Sequence, residues 1–237
     1  MKTFIVAEIG LNHNGKMNTA KKLIRIAAEA GVDAVKFQTY WNIPEYRHLG
    51  FTKFQWPVIF YYCKLYDLKW FSTPFDLEAV SFLDSQGMDT WKLPSNAIVL
   101  NDPLMLNAIQ NAKSRKQTII STGISNNDKI SDLISLFDDK LVTLLHCVSK
   151  YPTPIADLNL DRIKQLRERF KIPVGLSDHS LSVFTAPIRA IEYGATVIEK
   201  HITLDRNADG PDHRASLEPT ELKTMVGCIR IYEELHT

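Results

Sequence analysis

The chain has 237 residues, 45% of them hydrophobic, and a formal net charge of +1. That length is large for most single domains but ordinary for one α/β barrel, and it carries enough apolar residues for a sizeable core. The near-neutral charge excludes a long-range field for nucleic acid or anionic lipid, and the apolar runs fall far short of the roughly 18 residues that suggest a membrane span.

The opening MKTFIVAEIG lacks a signal-peptide h-region and a small-residue cleavage site, and reads as a first strand over residues 4–9. An amphipathic helical pattern follows at 18–31, with Leu23, Ile24, Ala27 and Ala30 on one face and Gly31 as its stop. Strands are predicted at 34–38 and 69–73, joined by a connection that begins TYWNIPEYRHLGFTKF. A helix at 76–87, a strand at 90–94, a helix at 102–112 and a strand at 118–122 come next. The alternation continues with a helix at 126–137, a strand at 142–146, a helix at 159–170 and a strand at 173–177. It closes with a helix at 181–194, a strand at 196–201 and a last helix at 218–235. Most of the strands are continuously apolar, as strands buried on both faces must be. Repeated βα units imply a parallel sheet. Eight strands in a chain of this length imply a closed (β/α)₈ (TIM) barrel, one domain over residues 1–237. An open doubly wound sheet is the alternative, but GLNHNG after the first strand is not a dinucleotide fingerprint. Cys63, Cys147 and Cys228 are too few and too scattered for a disulfide framework or a metal knuckle, so a reduced, cytoplasmic setting is expected.

In such barrels chemistry sits at the C-terminal ends of the strands. Here nearly every strand delivers polar groups to that rim. They are Glu8, Asn12 and His13; Lys36 and Gln38; Ser72 and Thr73; Lys92 and Ser95; Ser121 and Thr122; His146, Ser149 and Tyr151; Ser177, Asp178 and His179; Glu199, Lys200, His201, Asp205, Asp212 and His213. Lys36 lies in an apolar strand, where an ammonium must be paired or face solvent. Lys92 repeats the arrangement. Two lysines on one rim suggest a bound phosphate or carboxylate. The serines and threonines are hydroxyl donors on that reading and turn or cap residues on the plainer one. His179 and His201 end strands seven and eight, and adjacent strands lie roughly 5 Å apart. They are either core histidines or two ligands of one divalent ion acting as a Lewis acid. Asp178 and Glu199 would then orient the imidazoles or brace the lysines. Two prolines in SKYPTP stiffen the loop carrying Tyr151, as an ordinary loop or to hold the ring over the barrel mouth.

Taken together, AEIGLNHNG, AVKFQT, FSTPFD, KLPS, STG, LLHC with YPTP, GLSDHS, and EKHITLD with GPDH resemble the N-acetylneuraminate (sialic acid) synthase family, in the family's order and across most of residues 5–213. The resemblance implies a (β/α)₈ catalytic barrel. It implies condensation of phosphoenolpyruvate with an N-acetylated aldehyde sugar to a 2-keto acid, with release of phosphate. It implies a divalent metal at His179 and His201, manganese or alternatively magnesium or cobalt. It places Lys36, Thr73, Lys92, Ser95, Ser121, Ser149 and Ser177 around phosphoenolpyruvate, Gln38, Tyr151 and Asp212 toward the sugar, and Glu8 at the metal-side rim. Glu8, Lys36 and Lys92 are the implied catalytic groups. Small-molecule substrates, no nucleic acid, no membrane and, by analogy, a homodimer follow.

Three departures are visible. The family's Ser-Gly-Glu after strand four reads Ser95-Asn96-Ala97 here, so a carboxylate near the reacting carbons is replaced by a methyl group. The connection after strand two is shorter than the family's sugar-contacting loop. The resemblance covers the barrel and not the antifreeze-like C-terminal domain of typical members. Weak or absent turnover with N-acetylmannosamine is therefore expected, with His13, Glu8 and Asp178 as candidates to replace the lost carboxylate. A non-catalytic barrel that still binds phosphoenolpyruvate and metal, or a metal-dependent aldolase, are the competing readings.

Overall fold

The computed structural model describes residues 2–95 and 100–236, so Asn96 and Ala97 lie outside the described residues. Eight strands form one closed parallel barrel in sequence order. They are β1 (Phe4–Gly10), β2 (Ala34–Thr39), β3 (Lys69–Pro74), β4 (Thr90–Leu93), β5 (Gln117–Ser121), β6 (Val142–Cys147), β7 (Val174–Asp178) and β8 (Val197–His201). Each lies within one residue of its predicted limits. Ile5, Val35, Phe71, Trp91, Ile120, Leu144, Leu176 and Ile198 are buried, as expected for strands covered on both faces.

The surrounding helices are α1 (Met17–Ala30), α2 (Pro44–Arg47), α3 (Trp56–Leu65), α4 (Leu77–Ser85), α5 (Pro103–Gln110), α6 (Asn127–Ser135), α7 (Asp161–Phe170), α8 (Thr185–Glu192) and α9 (Pro219–Leu235). α1 buries Ala20, Leu23, Ile24 and Ala27, whereas Ala30 is only half-buried. Gly31 ends it at φ +84°, and its N–H reaches Ala27 and Ala28 carbonyls. Asp76, Asp102 and Asn126 cap α4, α5 and α6 through their side chains, and Glu218 with Glu221 forms a capping box on α9.

The connection from β2 to β3 carries two helices that the periodicity did not reveal. WPVIFYYCKL, now α3, is rich in aromatic and β-branched residues, which resembles a strand locally. Its helical state comes from packing. Trp56, Ile59 and Cys63 are buried, and the Trp56 ring meets Phe37 at 5.6 Å, edge on. α8 also starts later than predicted, at Thr185. Ser182 Oγ accepts from Ala186 N at 2.9 Å, which stops the helix from running further back.

Barrel closure sets the height at which each side chain meets its neighbour. β1 pairs with β2 through Glu8 opposite Lys36, and with β8 through Glu8 opposite His201. The register between β1 and β2 shifts between Glu8 and Gly10. β7 pairs with β8 through Ser177 opposite Glu199 and Asp178 opposite Lys200. Side chains alternate along a strand. Glu199 and His201 therefore face the barrel axis, and Lys200 faces the helices. Among the described residues no helix is long and apolar enough to cross a membrane.

Gly175 marks a tight point in this closure. A Cβ there would lie 2.4 Å from the Val197 carbonyl oxygen and 2.7 Å from Val197 Cβ. Gly175→Ala must push β7 away from β8, and overpacking of this kind costs about 1–3 kcal/mol. The expected result is a lower urea midpoint with an unchanged slope. An unshifted midpoint would show that the two strands separate without cost.

Candidate active site

The C-terminal ends of the strands enclose a cavity of about 270 Å³. Its walls include Lys36, Gln38, Thr73, Lys92, Ser95, Ser121, Ser149, Tyr151, Ser177, His179, His201 and Asp212. Every site residue predicted from the sequence is on this wall except Glu8, which is fully buried beside Lys36, its register partner on β2.

Glu8 Oε2 lies 2.8 Å from Lys36 Nζ, and Glu199 Oε1 lies 3.6 Å from the same ammonium. Gln38 Nε2 donates to the other Glu8 oxygen at 3.0 Å, and Tyr40 OH donates to Gln38 Oε1 at 3.2 Å. Burial works to neutralise Lys36, but Glu199 and Glu8 hold its pKa above the ordinary lysine value. Against burial, Lys36 and Lys92 together hold Glu199 down at about 2. Burial raises Glu8 above the usual carboxylate range, with Lys36 opposing. Gly10 seals this corner. A Cβ on it would lie 3.1 Å from Glu8 Oε1 and 3.4 Å from Asp212 Oδ2.

Lys92 builds the opposite end. Its ammonium donates to Ser121 Oγ at 2.6 Å and to the Leu93 carbonyl at 3.0 Å. Among the described residues no carboxylate pairs with it directly. Burial pushes its pKa down, with Glu199 opposing and Lys36 adding to the shift. Ser95 Oγ accepts from Ile124 N at 2.8 Å, which anchors the loop after β5 to the end of β4. Gly123 in that loop has no room for a side chain. Its Cβ would lie 2.8 Å from Cys147 Sγ and 2.9 Å from Ser149 Oγ and Ser95 Oγ. One ammonium and several hydroxyls thus converge around bare backbone.

Across the cavity, the His179 and His201 rings lie 5.7 Å apart, centre to centre. His179 donates from Nδ1 to the Val148 carbonyl at 2.8 Å. A neutral ring so arranged keeps Nε2 as its lone-pair nitrogen. Tyr151 stacks on that ring at 4.1 Å and donates its hydroxyl to Nε2 at 3.1 Å. His201 Nδ1 is buried without a hydrogen-bond partner, with Asp212 Oδ2 3.8 Å away. Burial lowers both imidazoles, His201 to about 4. Burial also raises Asp212. Two neutral imidazoles on adjacent strands, one with an orphaned buried nitrogen, are a donor set that fits a divalent transition metal. Among the described residues no three His, Cys, Asp or Glu side chains converge as ligands.

Other rim residues named from the sequence turn away from the cavity. Asn12 Nδ2 donates to the Ile202 carbonyl and Ser216 Oγ, holding the loop after β8. His13 stacks on Phe51 at 3.9 Å and accepts from Gly15 N, and burial lowers its pKa to about 3. Ser72 pairs with Thr39 at 2.8 Å. Thr122 and His146 bond to backbone carbonyls, and His213 bonds to Thr203 and Asn14. Asp178 pairs with Lys200 on the outer side of the barrel. Of the three candidates to replace a carboxylate at position 97, only Glu8 therefore belongs to the site. Residues missed from the sequence also line the cavity, namely Leu11, Tyr40, Tyr46, Phe75, Pro94, Cys147 and Pro211. Tyr40 stacks on Phe75 at 3.9 Å and meets Tyr46 at 5.1 Å, an aromatic wall opposite the histidines. Tyr46 arrives on α2, inside the connection whose helices left no periodic signal.

Comparison with known proteins places this geometry. An N,N'-diacetyllegionaminic acid synthase of Campylobacter jejuni is 37% identical over 258 residues, covering 97% of this chain and 76% of its own length. A pseudaminic acid synthase of the same organism is 36% identical, covering 97% and 73%. A crystal structure of an N-acetylneuraminic acid synthetase from Leptospira borgpetersenii, in complex with citrate, superposes with a TM-score of 0.90 at 31% identity, over 100% of this chain and 85% of that one. The NeuB family model matches residues 41–237, and the chain belongs to the NeuB family, the sialic acid synthases that its motifs resemble.

Proposed function

We propose that the barrel condenses phosphoenolpyruvate with the aldehyde of an N-acylated amino sugar, forming a carbon–carbon bond and releasing phosphate. The observation that carries this reading is the division of the cavity. Lys92 has hydroxyl neighbours and no direct carboxylate partner, while Lys36 is held charged between Glu8 and Glu199. A buried ammonium whose direct partners are a hydroxyl and a carbonyl favours an anion. The relatives' names, each a synthase of a sialic-type sugar acid, support the same reaction class.

Lys92, Ser121, Ser95, Ser149 and the backbone at Gly123 receive the phosphate. Lys36, with Thr73 and Ser177, receives the carboxylate. This leaves C3 of the enol directed toward the sugar aldehyde. A divalent ion held by His179 and His201 would supply Lewis-acid polarisation of the aldehyde oxygen. The new bond joins C3 to the aldehyde carbon. A water oxygen adds at C2, and the bond from C2 to the phosphate oxygen then breaks. Lys36 and Lys92 hold negative charge throughout, in a site that needs no reorganisation to do so. Asp212, whose pKa burial raises, is the acceptor-side group suited to exchanging a proton. Tyr151, Gln38 and the Tyr40–Tyr46–Phe75 wall face the sugar.

Lys36→Met and Lys92→Met keep the apolar stem and delete the charge. Each is expected to weaken phosphoenolpyruvate binding about tenfold or more, since a charged hydrogen bond contributes about 1.5–3 kcal/mol. Calorimetry that finds the wild-type dissociation constant in both variants removes the lysines from the anion site. Phosphate release, measured with manganese against a panel of aldehyde sugars, tests the reaction itself. Release that is no faster with any sugar than without would leave a binding barrel and not a synthase.

Gly123→Ala should keep the fold, because the glycine lies on an exposed loop with ordinary backbone angles. Its methyl displaces Ser95 or Ser149, and a misplacement of ~1 Å can cost as much as about 100-fold. The expected outcome is a rise of about tenfold or more in KM for phosphoenolpyruvate with the melting temperature retained. An unchanged KM places the phosphate elsewhere.

A further inference from the structure

One pair of buried charges takes no part in the chemistry above. Lys200 and Asp178 are both fully buried, and neither lines the cavity. Lys200 Nζ donates to Asp178 Oδ2 at 2.7 Å and also to the Ser180 carbonyl, and Ser180 N donates to Asp178 Oδ1 at 2.8 Å. Both lysine contacts and both carboxylate oxygens are thus committed. The surroundings of Lys200 also include Glu221 and Arg206, which form an ion pair with each other near the start of α9.

We infer that the Asp178–Lys200 pair is a positioning device for His179 and His201, fixing the separation at which the two imidazoles hold a divalent ion. This rests on the metal reading of that pair given above. Three observations support it. Asp178 and Lys200 are register partners across β7 and β8, and each is the residue immediately before one of the histidines. The pair faces outward, so it fixes the two strand ends from behind while the rings face inward. The tie continues into the next turn through Ser182 N to Ser180 Oγ at 3.1 Å and Ala186 N to Ser182 Oγ at 2.9 Å, which reaches α8.

Stability does not explain the pair. A well-packed apolar pair at such a site is often as stable as a buried ion pair or more so, and outward positions elsewhere on these strands need no charge. An ion pair adds direction, which apolar packing lacks. The lysine must lie where the carboxylate and the Ser180 carbonyl both accept from it, and this sets where the chain turns after Asp178. His179 sits in that turn. Partners one step removed from a metal typically change its affinity 10–100-fold when altered.

The test is manganese titration of the full chain by calorimetry, with phosphoenolpyruvate titrated separately in the absence of metal. Asp178→Asn with Lys200→Met removes both charges together, so neither is left alone in the interior. Asp178→Asn alone keeps one acceptor oxygen, for the Ser180 amide, and turns an amide N–H toward Lys200, whose remaining acceptor is the Ser180 carbonyl; it breaks the ion pair and provides the same reading if the double variant does not fold. His179→Ala is the control for the metal site. The expected result is a folded variant whose manganese affinity falls by at least about tenfold, with metal-free phosphoenolpyruvate affinity unchanged. Wild-type manganese affinity in the variant, with binding lost in His179→Ala, overturns the positioning role and leaves the metal site standing. Equal weakening of both ligands overturns it too, since a general loss of structure would do that. Manganese binding that His179→Ala does not change overturns both the metal site and the device behind it.

Discussion

The site depends on placing two lysine ammonium groups at the floor of one cavity beside a shared carboxylate. Lys36 and Lys92 are each almost wholly buried. Burial works against the charged form of both. Glu199 is placed to counter this for both, and its own low pKa, about 2, reflects the same attraction. The closed barrel makes the arrangement available. Strands from opposite ends of the sequence meet at β1 and β8, so a carboxylate from residue 199 comes within 3.6 Å of an ammonium from residue 36. An open sheet would leave those strands at its two edges.

The fold was legible in the sequence because strands buried on both faces read as unbroken apolar runs. The βα alternation then left few topologies. α3 was not legible, since its aromatic and β-branched residues prefer strands locally and only contact with Phe37 and neighbouring rings makes them helical. The site was legible in composition more than in orientation. Lys36, Lys92, His179 and His201 could be named from strand ends, yet the same reasoning named Ser72, His13, His146 and His213. What separates the two groups is the direction of each side chain. Within strands that direction alternates, and beyond the last hydrogen bond it depends on loop contacts such as Thr203 with His213.

Inside and outside faces of the same strands carry different work. On β8, Glu199 and His201 point to the cavity and Lys200 points to the helices. On β7, Ser177 points inward and bonds Glu199 at 2.9 Å, while Asp178 points outward. A three-residue segment such as Glu199-Lys200-His201 therefore cannot be read as one cluster. Its two ends face the cavity and its middle belongs to the wall.

The two halves of the cavity also differ in how they are built. The Lys92 end rests on strand termini and on hydroxyls tied to them, Ser95 by Ile124 N and Ser121 by Lys92 itself. Small changes there meet close-packed neighbours, as the space around Gly123 shows. The other side is drawn from the connections between elements: Tyr46 from α2, Tyr151 from the loop after β6, and Asp212 from the loop after β8. Tyr151 is half-exposed and Tyr46 is exposed at its edge. Loops tolerate insertion, deletion and substitution far better than barrel strands do. The strand ends can therefore stay fixed while the connections vary, and a change in the connection after β2, which carries Tyr46, alters that side of the cavity without disturbing either lysine.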